Sequence, residues 1–128
     1  MIFISYRRED SIGHTGRLYD RLVQQYGKET VFMDIDAMEP GEDFVDAIQR
    51  RVAGCDVEIV VIGKAWTNMV SPNGVRRLDD PEDFVRLEIQ AAIDRNVRII
   101  PVLVGGASMP GSRDMPDVLV PLVARPSL

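Results

Sequence analysis

The sequence predicts an α/β fold: a flavodoxin-like parallel sheet of at least four strands, in the order 2-1-3-4, with helices on both faces. Three observations predict it. Four short runs rich in apolar β-formers alternate with helical patterns along the chain. The third and fourth runs are nearly continuous in such residues, the mark of strands covered on both faces. Strand, helix, strand, repeated, implies right-handed crossovers that lay the helices over a parallel sheet.

The strands are "IFISY" (Ile2 to Tyr6), "VFMD" (Val31 to Asp34), "VEIVVIG" (Val57 to Gly63) and "VRIIPVLV" (Val97 to Val104). After the first strand, Leu18, Leu22 and Tyr26, flanked by Tyr19 and Val23, form a helical stripe that stops at Gly27, a C-cap; Gly13 and Gly16 weaken its first turns. A second helix runs from about Asp43 to Ala53, with Phe44, Ile48 and Val52 on one face and Gly54 just past its end. A third begins with Asp80 as N-cap and Pro81 at its first position, and Glu82 and Asp83 fall where the helix dipole favours acids. "KAWTNMVSPNGVRRLDD" between Lys64 and Asp80 is a turn-rich loop with at most a helical turn, and loops of that length are often functional. After Val104, "GGASMPGSRDMPD" is a flexible stretch, and prolines in "VLVPLVARPSL" break any sustained element.

Composition sets the class. The chain has 128 residues, 45% apolar and 27% charged, which suits one soluble globular domain over residues 1–128 with a single core. The apolar run in "MIFISYRRED" is too short for a signal peptide's h-region or a membrane span, so a cytoplasmic location is the expectation. One cysteine, Cys55, excludes an internal disulfide, and with one histidine it cannot build a usual structural zinc site; no metal is expected. Cys55 reads as a small buried residue ending a helix. Net charge is −5, with the basic residues scattered among acids, and nucleic acid is a poor candidate partner.

In an open parallel sheet the ligand crevice lies beyond the carboxyl ends of the strands. Those ends are polar here. The first strand runs into Ser5, Tyr6, Arg7, Arg8, Glu9 and Asp10; the second ends at Asp34, before "IDAMEPGEDF"; the third is followed by Gly63, Lys64 and Trp66. The third helix starts at the same edge, and there Glu88 interrupts an apolar arc formed by Leu87, Ala91, Phe84, Ala92, Val85, Ile89 and Ile93. Counted from Asp80 it lies about 10 Å along the helix, near the crevice.

Each of these residues has a structural alternative. Arg7 and Arg8 beside Glu9 and Asp10 also suit a solvated loop; Asp34 and Asp36 also suit turn caps; Gly41 after Pro40 also suits turn geometry. His14 reads as an exposed helix-start residue, and Trp66 as a cover for one end of the core. Glu88 is either functional or a structural ion-pair partner, with Arg95 two turns on, or an arginine of the first loop, as its counter-ion. Several chemistries of this architecture are excluded by missing motifs. No G-x-G-x-x-G follows the first strand, and neither a Walker A sequence nor a G-x-S-x-G elbow is present. A phosphorelay receiver would need an aspartate where Ile62 and Gly63 end the third strand.

Over roughly the first 105 residues the chain resembles a Toll/interleukin-1 receptor (TIR) domain of the bacterial kind. "FISYRRED" is similar to the family's first box, "VFMDIDAMEPGEDF" to its second strand and BB loop, "CDVEIVVIGKAW" to its central strand, and "DFVRLEIQAAI" to the helix that carries the glutamate of NAD-cleaving members. Four matches in order are more specific than any one alone. The resemblance implies that Glu88 is the catalytic carboxylate of an NAD+ glycohydrolase, or a cyclase, with NAD+ as substrate and no separate cofactor. It implies that Tyr6, Arg7 and Arg8 line the nucleotide site, with arginine suited to the pyrophosphate, and that Asp34, Glu39 and Phe44 border the same cleft. Phe84 stands where related enzymes often carry a base-stacking tryptophan. It also implies assembly with other TIR domains through the BB loop, at Asp36, Pro40 and Gly41, and a role in defence or signalling without nucleic acid or membrane contact. The family's fifth strand and last helix are not recognisable after Val104, so the expectation is the N-terminal module of a longer protein joined to a sensor domain. The alternative function is a non-catalytic scaffold acting by homotypic TIR contacts.

Overall fold

The computed structural model describes residues 1–33 and 44–124. Asp34, Asp36, Glu39, Pro40 and Gly41 therefore lie outside the described residues, as does the side chain of Phe44. The described elements, in chain order, are strand β1 (Ile2–Ser5), helix α1 (Arg8–Tyr26), strand β2 (Val31–Phe32), helix α2 (Phe44–Ala53), strand β3 (Val57–Ile62), helix α3 (Phe84–Asp94), strand β4 (Arg98–Leu103) and the short helix α4 (Val120–Val123). The strands form one parallel sheet in the order β2-β1-β3-β4, as the alternation of elements predicts.

Register sorts the side chains onto two faces. Ile2 to Ser5 pair with Val57 to Val60, and Val57 to Ile62 pair with Arg98 to Leu103. Alternate residues then point to opposite sides. Phe3, Val60, Ile62 and Ile99 pack with Ile48 and Val52 of α2 and Val85, Ile89 and Ala92 of α3. Ile4, Tyr6, Ile59 and Val61 pack on the other side against Leu18, Tyr19, Leu22 and Val23 of α1. Helices thus cover both faces, and β3 is buried from Glu58 to Ile62. β4 carries Pro101, which a strand with a single described neighbour tolerates because only one side of its backbone must pair.

Local signals explain most boundaries. Gly27, at φ 93°, ends α1 and donates its N–H to the Val23 carbonyl, as the glycine C-cap rule requires. Tyr26, the last residue of the stripe, is exposed rather than packed. Two expectations are corrected. The acidic and basic run after β1 is not a loop: Arg8, Glu9 and Asp10 form the first turn of α1, where acids suit the dipole, with a non-helical residue at Ser11. Helix α3 starts not at Asp80 but at Asp83, whose carboxylate accepts the Arg86 N–H at 3.0 Å. Asp80 instead accepts the Glu82 N–H at 2.9 Å and closes a separate turn.

After β4 no sustained element forms among the described residues, as the prolines predict. Asp117–Leu119 makes a 3₁₀ turn that runs into α4, and Pro121 sits in the first turn, where the missing N–H costs no helical hydrogen bond. Leu119 and Leu122 are fully buried on the α3 side. Truncating Leu122 to Ala should therefore lower the unfolding free energy by about 2–4 kcal/mol, read from urea denaturation, as for other buried leucines.

One core position is unusual. Glu58 lies between Phe3 and Ile99 in the sheet, is 0% exposed, and neither carboxyl oxygen has a hydrogen-bond partner. Burial pushes its carboxyl well above the ordinary value, and the charge of Glu88 adds to the shift. Neutral Glu58 is the form this core tolerates. As pH rises from the ordinary glutamate value of 4.5, the unfolded chain releases the proton that the folded chain retains, so stability falls until the raised folded pKa is reached. Glu58→Gln should remove that slope, of about 1.4 kcal/mol per pH unit at its steepest, and leave the variant more stable than the wild type at neutral pH. Denaturation midpoints from acid to neutral pH measure both, and identical slopes would mean that Glu58 is ionised in the fold.

Candidate active site

The carboxyl edge of the sheet is built from the segments that leave β1 and β3 and from the start of α3. Ser5 ends β1 fully buried on the face that meets α3. Its hydroxyl donates to Glu88 Oε1 at 3.4 Å, a long bond that crosses from strand to helix. Glu88 is 6% exposed and, counted from the observed start of α3, lies only about 6 Å along the helix. It sits between Val85, Ile89 and Ala92, all buried, so the interruption in the apolar arc is real.

The segment after β1 reaches three different neighbours. Arg7 is buried and grips Asp83 as a fork, Nη1 to Oδ1 at 3.0 Å and Nη2 to Oδ2 at 2.8 Å. Its guanidinium lies 5.8 Å from the centre of the Trp66 ring, itself fully buried. Glu9 receives a second fork from Arg77, at 3.2 and 3.3 Å, which holds its carboxyl below the ordinary value. Asp10 accepts the N–H groups of Gly63 and Ala65, both at 2.8 Å, and so caps the turn that leaves β3. A Cβ at Gly63 would stand 2.6 Å from Asp10 Oδ1, so a larger residue there would push that carboxylate off the turn.

The long segment after β3 is ordered by arginines. Arg76 forks Asp79 at 2.9 and 3.0 Å and donates to the Asp114 carbonyl at 2.6 Å, and Arg86 donates to the Leu78 carbonyl at 3.0 Å. Its one helical turn is Arg77–Asp79. Leu78 is buried and pins this turn to the core beside Trp66.

The predicted site residues divide. Glu88 and Phe84 share α3 one turn apart, and Phe84 is 46% exposed at the helix start. Arg8 is exposed on the first turn of α1. Tyr6 is buried in the cluster against α1, on the opposite face of the sheet from Glu88. Arg7 is committed to Asp83. Arg95, one suggested counter-ion for Glu88, is exposed and donates to Gln49 at 3.3 Å. Asp34, Glu39 and the Phe44 side chain lie outside the described residues.

Asp83 and Glu58 escaped the sequence reading of the site, and Ser5 was read only as part of the polar edge. Asp83 carries no local signal of a site, because an acid at a helix start is common. Glu58 did carry one. It interrupts an apolar strand much as Glu88 interrupts an apolar helix face, and it projects to the same side of the sheet, one alternation from the register position of Ser5.

The geometry has relatives. The family of TIR domains matches residues 2–123. Among solved structures, the chain is similar to the TIR domains in the activated Roq1 resistosome directly recognizing the pathogen effector XopQ, with a TM-score of 0.61 at 15% identity, over 96% of this chain and 68% of that one. No curated protein matches the chain. The order β2-β1-β3-β4, the polar edge and a family match that takes in every described strand lead to one conclusion: the chain belongs to the TIR domain family.

Proposed function

We propose that this TIR domain is an NAD+ glycohydrolase of the NAD-cleaving, bacterial kind, acting in the cytoplasm in defence or signalling. The observation that carries the reading is Glu88: a carboxylate on the sheet-facing side of α3, held near the crevice by Ser5, at a position where a purely structural helix would place an apolar residue. In support, the family includes members that use a glutamate on this helix for that chemistry, as the resemblance of "DFVRLEIQAAI" implies.

The chemistry asks little of the protein beyond charge placement. The bond between C1′ of the ribose and the nicotinamide nitrogen breaks heterolytically, and the electron pair goes to the ring nitrogen, which leaves neutral. No general acid is needed. Positive charge develops on the ribose as an oxocarbenium-like state, and Glu88 opposes it from a site mostly shielded from water, where such an interaction is worth more than in bulk. Water then adds to C1′ and releases a proton, giving ADP-ribose; attack by a ring nitrogen of the adenine would close a cyclic product instead.

In this reading Phe84 offers an exposed ring for a base and Arg8 an exposed cation for the pyrophosphate. Asp34, Glu39 and Phe44 complete the cleft by resemblance, whereas Tyr6, buried on the opposite face of the sheet, does not line it. Assembly enters through the BB loop, at Asp36, Pro40 and Gly41. That the similar TIR domains stand in an activated resistosome supports a TIR-to-TIR contact here. The rival reading is a scaffold without chemistry, and the Ser5 bond favours it to the extent that Glu88 is satisfied within the fold.

Glu88→Gln should abolish release of nicotinamide from NAD+, a loss of at least about 100-fold if the group acts by charge, while the unfolding midpoint stays near that of the wild type. Retained turnover would defeat the mechanism. The rate should rise more steeply than linearly with protein concentration, and substitution of Pro40 or Gly41 should remove that steepness. A strictly linear dependence would point to a free-standing enzyme, and no turnover in the wild type at any concentration would favour the scaffold.

A further inference from the structure

Ser5 and Arg7 stand two residues apart on an extended stretch, so they project to the same side of the chain. Arg7 has φ −104° and ψ 122°, still extended, and only the following residue enters α1. Each reaches α3 at a different place, Arg7 at Asp83 and Ser5 at Glu88. Two extended residues cover about 6.6 Å, and five helical residues about 7.5 Å. The two spacings match, so one short backbone segment holds the helix at two points. Two attachments fix both the height of α3 over the sheet and its rotation, whereas one would leave a pivot.

Asp83 is where the arrangement concentrates. Its carboxylate accepts both arms of the Arg7 fork and also caps α3 through the Arg86 N–H at 3.0 Å. The side chains are 2% and 11% exposed, so the pair is shielded on both sides, with Trp66 under the guanidinium. Arg7 Nε is buried and unpartnered, and both terminal nitrogens face Asp83. The fork spends two of its N–H groups, and a side chain only 2% exposed presents little surface to a pyrophosphate.

We propose that Arg7 and Asp83 are positioning residues for Glu88, forming a clamp that sets the start of α3, and that Arg7 does not contact the nucleotide. The inference rests on the glycohydrolase reading for its catalytic consequence, though not for its geometry. It assigns nucleotide phosphates to other cations of the edge and gives Arg7 an effect on the chemical step instead. A misplacement of a reacting group by about 1 Å can cost 100-fold in rate, so the clamp need only shift the helix slightly to matter.

The test uses the full chain and three variants. Asp83→Asn keeps a side chain that caps helices as well as aspartate does, but strips the charge from the fork. Arg7→Lys keeps the charge and loses the fork, and serves where the first variant folds poorly. Arg7→Leu with Asp83→Asn removes both charges, which costs less than stranding one of them. The clamp predicts a kcat for nicotinamide release about 100-fold lower in Asp83→Asn with KM for NAD+ unchanged, and partial recovery in the double variant. A contact to the nucleotide predicts the reverse: a raised KM in both Arg7 variants and a silent Asp83→Asn. That outcome would overturn the proposal.

Hydrogen exchange supplies a readout independent of turnover. Amides from Phe84 to Glu88 should exchange faster in Asp83→Asn than in the wild type, while those of β3 keep their protection. If the wild type cleaves no NAD+, the glycohydrolase reading fails and exchange alone judges the clamp. Unchanged exchange across α3 would overturn it whatever the activity.

Discussion

The rest of the structure depends on β3 being covered on both faces. Its neighbours in the sheet and the helices above and below leave no water along Glu58 to Ile62, so polar chemistry can gather only where the strand ends. The backbone leaves the sheet there through Gly63, with its turn held by the Asp10 carboxylate. Parallel strands all exit at one edge, and the helices that follow them begin at that edge. A crevice with several polar walls is then a consequence of topology rather than of any single residue.

Electrostatics at that edge is graded by burial. The forks between Glu9 and Arg77 and between Arg76 and Asp79 are solvent-accessible; pairs of this kind are worth little in free energy, and their part is to hold the long segment after β3 in one path. The Arg7–Asp83 fork differs because both partners are nearly dry. Removing one member would strand the other, so the pair is costly to break even if it adds little net stability.

The two buried carboxyls make the same point in opposite ways. Glu88 lies nearer the carboxyl edge and accepts a hydrogen bond from Ser5. Glu58 lies deeper on the same side of the sheet, without a partner, and its own neutrality is favoured by burial and by the charge of Glu88. Burial pushes the nearby Cys55 thiol up, and that thiol donates to the Arg51 carbonyl at 3.2 Å. A chain that kept only stability would fill the Glu58 position with a valine or leucine.

Strand identity, the alternation with helices, the Gly27 cap and the interruption at Glu88 were all legible in the sequence, because each is written in a local pattern: period, apolar content or a glycine after a stripe. The order β2-β1-β3-β4 is the flavodoxin-like one expected, although chirality rules alone give only the parallel sheet with covered faces and are met by other orders too. The start of α3 was not legible, since Asp80 and Asp83 are equally good caps by local rules, and the choice fell to the one that Arg7 could reach. Nor was the fate of the arginines: two adjacent side chains, Arg7 and Arg8, end one buried and one exposed. Sequence alone thus determined which elements form and that a carboxylate interrupts the face of α3. Tertiary structure alone decided which charges pair and which are shielded, because pairing depends on distances between segments far apart in the chain, and no local propensity encodes those.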